Sequence, residues 1–187
     1  MEWYQYPYIG NYGEYPDPFG PYKKPDYNFE CPPGTPITAL GSGVVSGVQV
    51  NPSWGEGTTS VTIKLDTAIN DIATHMAYNF LASTNVKQGD KVNVGNTIGT
   101  ASSKYGFGVA FALTNDDVYG TATFDKYNGD PRLDPGLVIQ PILNNGTIPG
   151  SNPLSSLLSG NTDIIVGIGI IALVLVGLVL FVGFGAL

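Results

Sequence analysis

Residues 60–66 of this chain read SVTIKLD, and their alternation decides the fold class. Val61, Ile63 and Leu65 fall on one side of an extended chain, and the polar residues between them fall on the other. Such alternation is typical of a β-strand that buries one of its two faces. The segment therefore predicts a strand that belongs to an antiparallel sheet.

Short strands separated by glycine turns extend on both sides of this segment. Residues 37–50 (ITALGSGVVSGVQV) predict two strands, and residues 106–113 predict a final apolar strand. Residues 86–99 (VKQGDKVNVGNTIG) contain two glycine turns, whereas residues 71–80 fit either a strand or a short helix. No long amphipathic helix is visible. The chain is therefore mainly β, and we expect a compact antiparallel β-sandwich or barrel over residues 28–143.

The C-terminal part of the sequence predicts a membrane anchor. Residues 164–187 contain no charged or polar side chain. As a helix that rises about 1.5 Å per residue they would cross a hydrocarbon core of about 30 Å. We expect a single transmembrane helix, joined to the domain by a flexible linker at residues 144–163. The membrane residues that we single out are Ile164, Val174, Gly177 and Phe181.

The N-terminal residues 1–27 are rich in tyrosine and proline. Proline at this density disfavours helices and central strands, so we predict an extended arm. The segment could be a disordered tail or an arm that presents aromatic side chains to a protein partner. We favour the arm, because interfaces are enriched in Tyr and Trp whereas disordered tails are poor in aromatics. The predicted partner-binding residues are Trp3, Tyr4, Tyr6, Tyr8, Tyr12 and Tyr15.

Net charge, cysteine content and the first residues argue against nucleic-acid binding, an intrachain disulfide and export through a signal peptide. The formal net charge is −7, which argues against nucleic acid as a partner because phosphate binding needs clustered Lys and Arg. The single cysteine, Cys31, cannot form an intrachain disulfide, and we expect it to be a small buried residue. The first residues lack the positive start and apolar run of a signal peptide, so we expect no export through such a signal.

Several motifs in the middle of the chain occur in a known order and spacing. Residues 28–37 (NFECPPGTPI) are similar to a D-F-x-x-P-x-G-T-P-V segment, and residues 86–99 to a V-x-x-G-x-x-V-x-x-G-x-x-I-G segment. Residues 107–113 are similar to an H-x-H-F-E-V strand, and residues 74–76 to part of a Y-x-H-L motif. Together they resemble the lysostaphin-type zinc metallopeptidases. The resemblance implies a compact antiparallel β-fold and cleavage of peptide cross-links in peptidoglycan.

The same resemblance implies which residues would hold the catalytic zinc, and this chain lacks them. The family's three ligand positions fall on Lys24, Asn28 and Ala110, and the first His of H-x-H falls on Gly108. Catalytic zinc needs about three ligands from His, Asp, Glu or Cys, which an ammonium, an amide and a methyl group do not supply. Only His75 remains, at the catalytic-assist position implied by Y-x-H-L. We therefore predict a degenerate, non-enzymatic relative without metal or cofactor.

These observations lead to one function hypothesis and three alternatives. Bacteriophages often carry cell-wall hydrolase domains, and a phage with an internal membrane needs proteins that tie bilayer to capsid. We expect a virion protein that links a bilayer to a protein shell, as a homo-oligomer or in many copies. The alternatives are a cellular membrane-anchored module for peptidoglycan or a cell-wall hydrolase, a residual enzyme that uses His75, and a lipoyl-type carrier modified at Lys64.

Overall fold

The computed structural model of the protein describes residues 1–120 and 129–145. These residues form nine β-strands, one α-helix and two short 3-10 helices, at Trp3–Gln5 and Pro131–Leu133. The strands are β1 (Tyr8–Ile9), β2 (Tyr27–Phe29), β3 (Pro36–Thr38), β4 (Gly43–Val50), β5 (Thr59–Leu65), β6 (His75–Thr84), β7 (Lys91–Val92), β8 (Thr97–Ala101) and β9 (Val109–Thr114). The helix is α1 (Gly136–Asn145).

All strand pairs among the described residues are antiparallel, and they form one sheet in the order β1-β2-β9-β6-β5-β4-β7. The remaining two strands, β3 and β8, pair with each other, and β8 also pairs with β6. The prediction of a mainly β, antiparallel domain is therefore confirmed. Residues 71–80, which fitted either a strand or a helix, lead into β6, the longest strand of the sheet.

The central strand β5 is covered on both faces. Val61 and Ile63 are fully buried in the main hydrophobic core, as the alternation predicted. Thr62, on the opposite face, is also buried, and its hydroxyl accepts a hydrogen bond of 3.3 Å from the backbone of Tyr119. The segment that follows β9 therefore covers part of the second face. This face of the sheet is not open to solvent along its whole length.

The N-terminal residues are a folded part of the domain, which corrects the predicted free arm. Trp3 is fully buried, and its indole Nε1 donates a 3.0 Å hydrogen bond to the carbonyl of Thr38. Its ring packs edge-on against Phe29 at 5.1 Å between centroids. Trp3 is thus a core residue and is not available to a partner. Tyr4, Tyr6, Tyr8 and Tyr12 are only partly buried but also pack against this core.

The apolar helix α1 was not predicted. It is short and contains Pro141, which a sequence pattern reads as a helix breaker. It forms because Val138, Ile139 and Ile142 join the main core, so tertiary packing outweighs local preference. The helix reaches Asn145, two residues beyond the domain end that we predicted at residue 143.

The predicted membrane anchor at residues 164–187 and the predicted linker up to residue 163 lie outside the described residues, apart from the end of α1. Within residues 1–120 and 129–145, no helix has the length and apolar character needed to cross a bilayer.

Candidate functional site

Two neighbouring strands bring two of the predicted ligand positions together on one face of the sheet, beside Asn79 of a third strand. Asn28 on β2 lies directly opposite Ala110 on β9, and Ala110 lies opposite Asn79 on β6. Residues that are directly opposed in an antiparallel pair share a face of the sheet. All three are buried on the face opposite to the main core. The positions that the resemblance assigns to a zinc Asp and a zinc His are therefore adjacent in this structure.

Lys24 completes this group, because its side chain reaches into it from the loop before β2. The Lys24 ammonium donates hydrogen bonds to Oδ1 of Asn28 and, over 3.0 Å, to Oδ1 of Asp26. The side chain of Lys24 is fully buried, and that of Asp26 is 8% exposed. A positive charge thus lies where the sequence alignment placed a zinc ligand, and it binds the residue at a second ligand position.

The folded N-terminal segment holds Lys24 in this place. The backbone of Lys24 donates to the carbonyl of Glu14 and accepts from the amide of Gly13, at 3.0 and 2.9 Å. Gly10 has φ +70°, and a Cβ there would come within 2.8 Å of the Lys24 stem, so this position requires glycine. The ammonium also lies 5.5 Å from the ring centroid of Phe19, a cation–π distance.

Burial and charge act in opposite directions on Asp26. Removal from water raises the pKa of its carboxyl above the usual 3.8, while the Lys24 ammonium beside it lowers that pKa. The burial contribution is the larger one. The carboxylate can remain ionised inside the domain only because Lys24 supplies a compensating charge, so the two side chains form one electrostatic unit.

Gly108, the position of the first His in H-x-H, has no room for a side chain. A Cβ at Gly108 would lie 2.3 Å from Sγ of Cys31 and 2.4 Å from its carbonyl oxygen. Cys31 is buried, as expected, and burial raises the pKa of its thiol to about 11. Any histidine at residue 108 would therefore require the backbone near Cys31 to move.

The rest of this face is covered by a small aromatic cluster. Ala77 and Ala112, opposed on β6 and β9, pack beneath the fully buried ring of Tyr119. Trp54 packs against Tyr119 with 6.0 Å between ring centroids. These rings therefore cover Ala77 and Ala112 on the face of the sheet opposite to the main core.

His75 lies away from the Lys24 group, which corrects its predicted place in the site. It pairs with Thr114, four residues along β9 from Ala110, which corresponds to roughly 13 Å along a strand. Its Nε2 lies 3.0 Å from Oδ1 of Asp117, and its Nδ1 lies 2.8 Å from the hydroxyl of Thr74. Burial lowers the pKa of His75 below 6.5, although Asp117 partly opposes this. His75 is therefore a hydrogen-bonded structural residue.

A comparison with protein families supplies the identification. The profile of peptidase family M23 matches residues 24–119, just over half of the 187 residues. This chain belongs to peptidase family M23. A comparison with curated proteins gave no significant match.

Solved structures of M23 proteins share the fold. The catalytic domain of the antimicrobial peptidase lysostaphin from Staphylococcus simulans is 24% identical, with a TM-score of 0.50 over 63% of this chain and 86% of that domain. A second structure of lysostaphin from Staphylococcus simulans is 25% identical with a TM-score of 0.50, and the match covers 65% of this chain and 48% of that chain. A catalytic-domain variant of the prophage-encoded M23 protein EnpA from Enterococcus faecalis is 27% identical, with a TM-score of 0.48 over 67% and 93% of the two chains.

The residues of this M23 domain do not fit a catalytic zinc ion. Lys24 presents a cation to the position, Asn28 is already a hydrogen-bond acceptor for that cation, and Ala110 has no ligating atom. Among residues 1–120 and 129–145, no three His, Cys, Asp or Glu side chains are grouped so that they could hold a metal ion. A protonated ammonium and a divalent cation repel each other, so the site as built excludes the family's metal.

The Y-x-H-L motif also fits a second segment, in which Phe80 stands at the histidine position. Residues 78–81 read YNFL, which keeps the Tyr and Leu of the Y-x-H-L motif, with Phe80 at the histidine. Phe80 follows Asn79, the partner of Ala110, and lines the same pocket as Asn28. The Tyr and Leu of this motif are visible in the sequence, but its histidine is absent, and the single histidine of the chain lies in residues 74–76.

Proposed function

We propose that this M23 protein is non-enzymatic and acts as a membrane-anchored structural protein. The observation that supports the non-enzymatic part is the buried Lys24 ammonium, which takes the place of a metal ligand and binds Asn28 and Asp26. With Gly108 and Phe80 at the two remaining family histidine positions, no side chain at those positions can move a proton. The apolar composition of residues 164–187 supports the anchor.

The setting that we propose is the particle of a membrane-containing bacteriophage, in which the protein links the bilayer to a protein shell. Of the partner-binding residues predicted from the sequence, Tyr15 remains a candidate, because its side chain is 68% exposed. The other five belong to the domain core or pack against it. A partner would thus meet the outer surface of a folded domain, with many copies of the chain in the particle.

A cellular role is the second candidate, and one observation favours it. A pocket with a volume of about 180 Å³ persists beside the former metal position, between Asn28 and the ring of Trp54. An open pocket is what a membrane-anchored module for a cell-wall component or a cell-wall hydrolase would retain after the loss of catalysis.

The non-enzymatic proposal predicts that the purified full-length chain, in detergent, contains far less than one zinc ion per molecule and releases no peptide from peptidoglycan. Elemental analysis by mass spectrometry measures the zinc, and dye release from labelled sacculi measures the cleavage, with an active M23 peptidase as the positive control. Near-stoichiometric zinc that survives dialysis, or cleavage above the background of a Lys24→Met variant, would overturn the proposal.

The proposed setting predicts that the protein co-sediments with virus-like particles in a density gradient, at many copies per particle. Quantitative mass spectrometry of the gradient fractions measures this, with major capsid proteins as the internal standard. Recovery only in the fractions of the host envelope would contradict the virion role and support the cellular module instead.

A further inference from the structure

The pocket that favours a cellular role is aromatic and lies next to the Lys24 group. Its volume is about 180 Å³, and Asn28 is one of its lining residues. Six aromatic side chains line it: Phe19, Tyr22, Trp54, Phe80, Tyr105 and Phe107. Among the described residues, the charged side chains in its lining are the carboxylates of Asp17 and Asp26.

The rings form a continuous wall that is centred on Phe80. Phe80 packs against Trp54 at 5.4 Å, against Tyr105 at 5.0 Å and against Phe107 at 5.2 Å between ring centroids, in each case edge to face. Phe107 in turn packs against Phe19 at 5.4 Å. Such mutual packing fixes the ring orientations before any ligand arrives, which lowers the entropic cost of binding.

The backbone at Phe80 is strained, and the strained residue is one that lines the pocket. Its φ is 63°, a conformation that is unfavourable for a bulky side chain. The pairing of β5 with β6 shifts register between Thr59 and Val61, opposite this residue. Such an irregularity can turn a side chain away from its alternating position. Here the register shift occurs together with the placement of Phe80 in the pocket wall. Backbone strain of this kind tends to occur at ligand sites.

The charges around the pocket favour a cation. Asp17 is 6% exposed and Asp26 is equally buried, so both carboxylates lie in surroundings of low polarity. Lys24 compensates Asp26, which leaves one negative charge in excess among these three side chains. The ammonium of Lys24, 5.5 Å from the Phe19 ring centroid, shows that an aromatic face of this wall already binds a cation. An anion would be repelled by both carboxylates.

We propose that this pocket binds a small organic cation, with a quaternary ammonium group as the preferred head. The aromatic faces attract its charge, and the excess carboxylate complements it. The preference for a quaternary head comes from the lining, in which six aromatic rings outnumber the two carboxylates. A quaternary ammonium has no N–H group to satisfy. The site deepens the proposed non-catalytic role, since it names a ligand class for the former metal region.

The test is a titration of the full-length, ¹⁵N-labelled chain in a choline-free maltoside detergent with tetramethylammonium chloride. The two indole N–H signals separate the site from the core, because Trp54 lines the pocket and Trp3 is buried elsewhere. We expect a saturable shift of the Trp54 signal and no shift of the Trp3 signal. Neopentyl alcohol, a neutral molecule of similar shape, should bind markedly more weakly.

Variants make the assignment specific. Phe19→Leu and Tyr105→Leu should each weaken binding about two- to ten-fold, because each removes one aromatic face. The matched control is Tyr15→Leu, since Tyr15 is an exposed aromatic that does not line the pocket, and it should bind as the unmodified chain does. An unchanged Trp3 signal in each variant shows that the core has stayed folded.

The outcomes separate this inference from the proposed function. No saturable Trp54 shift, equal binding of the neutral molecule, or equal weakening by Tyr15→Leu overturns the cation site while leaving the zinc and cleavage results as they are. Conversely, zinc or cleavage overturns the non-enzymatic proposal whatever the titration shows. Tighter binding of phosphocholine than of choline indicates a lipid headgroup as the source of the cation, and the reverse order indicates a free solute; both support the site.

Discussion

Replacement of Lys24 by methionine is expected to lower the free energy of unfolding by about 3–5 kcal/mol, the usual cost of removing one partner from a buried ion pair. Methionine retains most of the apolar volume of the stem but has no charge. Asp26, whose side chain is 8% exposed, would then be a buried carboxylate without a counter-charge, and Asn28 would lose its donor. Urea denaturation followed by far-ultraviolet circular dichroism measures the change.

The matched control is Lys91→Met, because Lys91 is also a lysine in an ion pair but its side chain is 69% exposed and lies 4.0 Å from Asp66. Exposed pairs of this kind contribute about 0–1 kcal/mol, so this variant should unfold almost as the unmodified chain does. If Lys24→Met loses no more stability than Lys91→Met, the Lys24 ammonium does not stabilise the buried carboxylate of Asp26, and the prediction is wrong.

The loss caused by Lys24→Met should also depend on pH. Burial raises the pKa of Asp26 above its usual value, so the folded state binds this proton more tightly than the unfolded state does. Removal of Lys24 takes away the charge that lowers this pKa, and the pKa in the folded variant rises further. The stability deficit of the variant is therefore smallest at acidic pH, where the raised pKa favours the protonated carboxyl, and grows as the pH rises toward neutrality. A deficit that is constant from acidic to neutral pH would contradict the pairing.

The double variant Lys24→Met with Asp26→Asn gives an independent check. It removes both charges, so the buried carboxylate that causes the loss is gone. We expect it to recover part of the stability that Lys24→Met loses, with a coupling energy well above zero in a double-mutant cycle. Strictly additive effects of the two substitutions would mean that Lys24 and Asp26 do not interact.

The strands could be predicted because their signal is local. Residues 60–66 alternate between apolar and polar side chains, and glycine turns separate the segments on both sides. A local pattern does not report on tertiary contacts. This explains why helix α1 and the packing of the N-terminal segment were not predicted. Helix α1 contains Pro141, so its local preference argued against a helix until its apolar residues met the core.

The candidate site was predictable only in part, for a related reason. Lys24, Asn28, Ala110 and Gly108 were found by their motif spacing, which the strand register preserves. The partner of Lys24 was missed, because Asp26 belongs to no family motif and its role appears only when both side chains are buried together. The motif comparison placed His75 at a family histidine position, whereas Phe80 is the residue that lines the pocket beside Asn28.

The N-terminal segment shows most clearly what composition cannot distinguish. Aromatic residues among prolines are expected both in an arm that binds a partner and in a strap that packs on its own domain. The difference is whether the domain has a matching apolar site. Here the Trp3 ring fits among Phe29, Tyr78 and Phe111, at 5.1, 5.9 and 5.7 Å between ring centroids. Only the folded sheet creates that site, since its three rings come from three different strands.

Trp3→Ala is therefore expected to destabilise the domain by about 3–5 kcal/mol, the range for truncation of a fully buried tryptophan. The loss has two parts: the aromatic contacts and the space left among them, and the carbonyl of Thr38, which loses the indole donor. Trp3→Phe should lose clearly less, because it retains a ring and gives up the hydrogen bond. Urea denaturation followed by far-ultraviolet circular dichroism again measures the change.

The control for Trp3→Ala is Tyr15→Ala in the same N-terminal segment, where the side chain is 68% exposed. A free arm and a packed strap predict opposite results for this pair of variants. If residues 1–27 were an arm that contacts only a partner, Trp3→Ala would leave the isolated chain as stable as Tyr15→Ala does, within about 0.5 kcal/mol. If the segment is part of the core, Trp3→Ala alone lowers stability, and it also loosens the Gly13 and Glu14 backbone contacts that hold Lys24. The same substitution should then reduce the protection of the Lys24 amide from hydrogen exchange, whereas Tyr15→Ala should leave that protection unchanged.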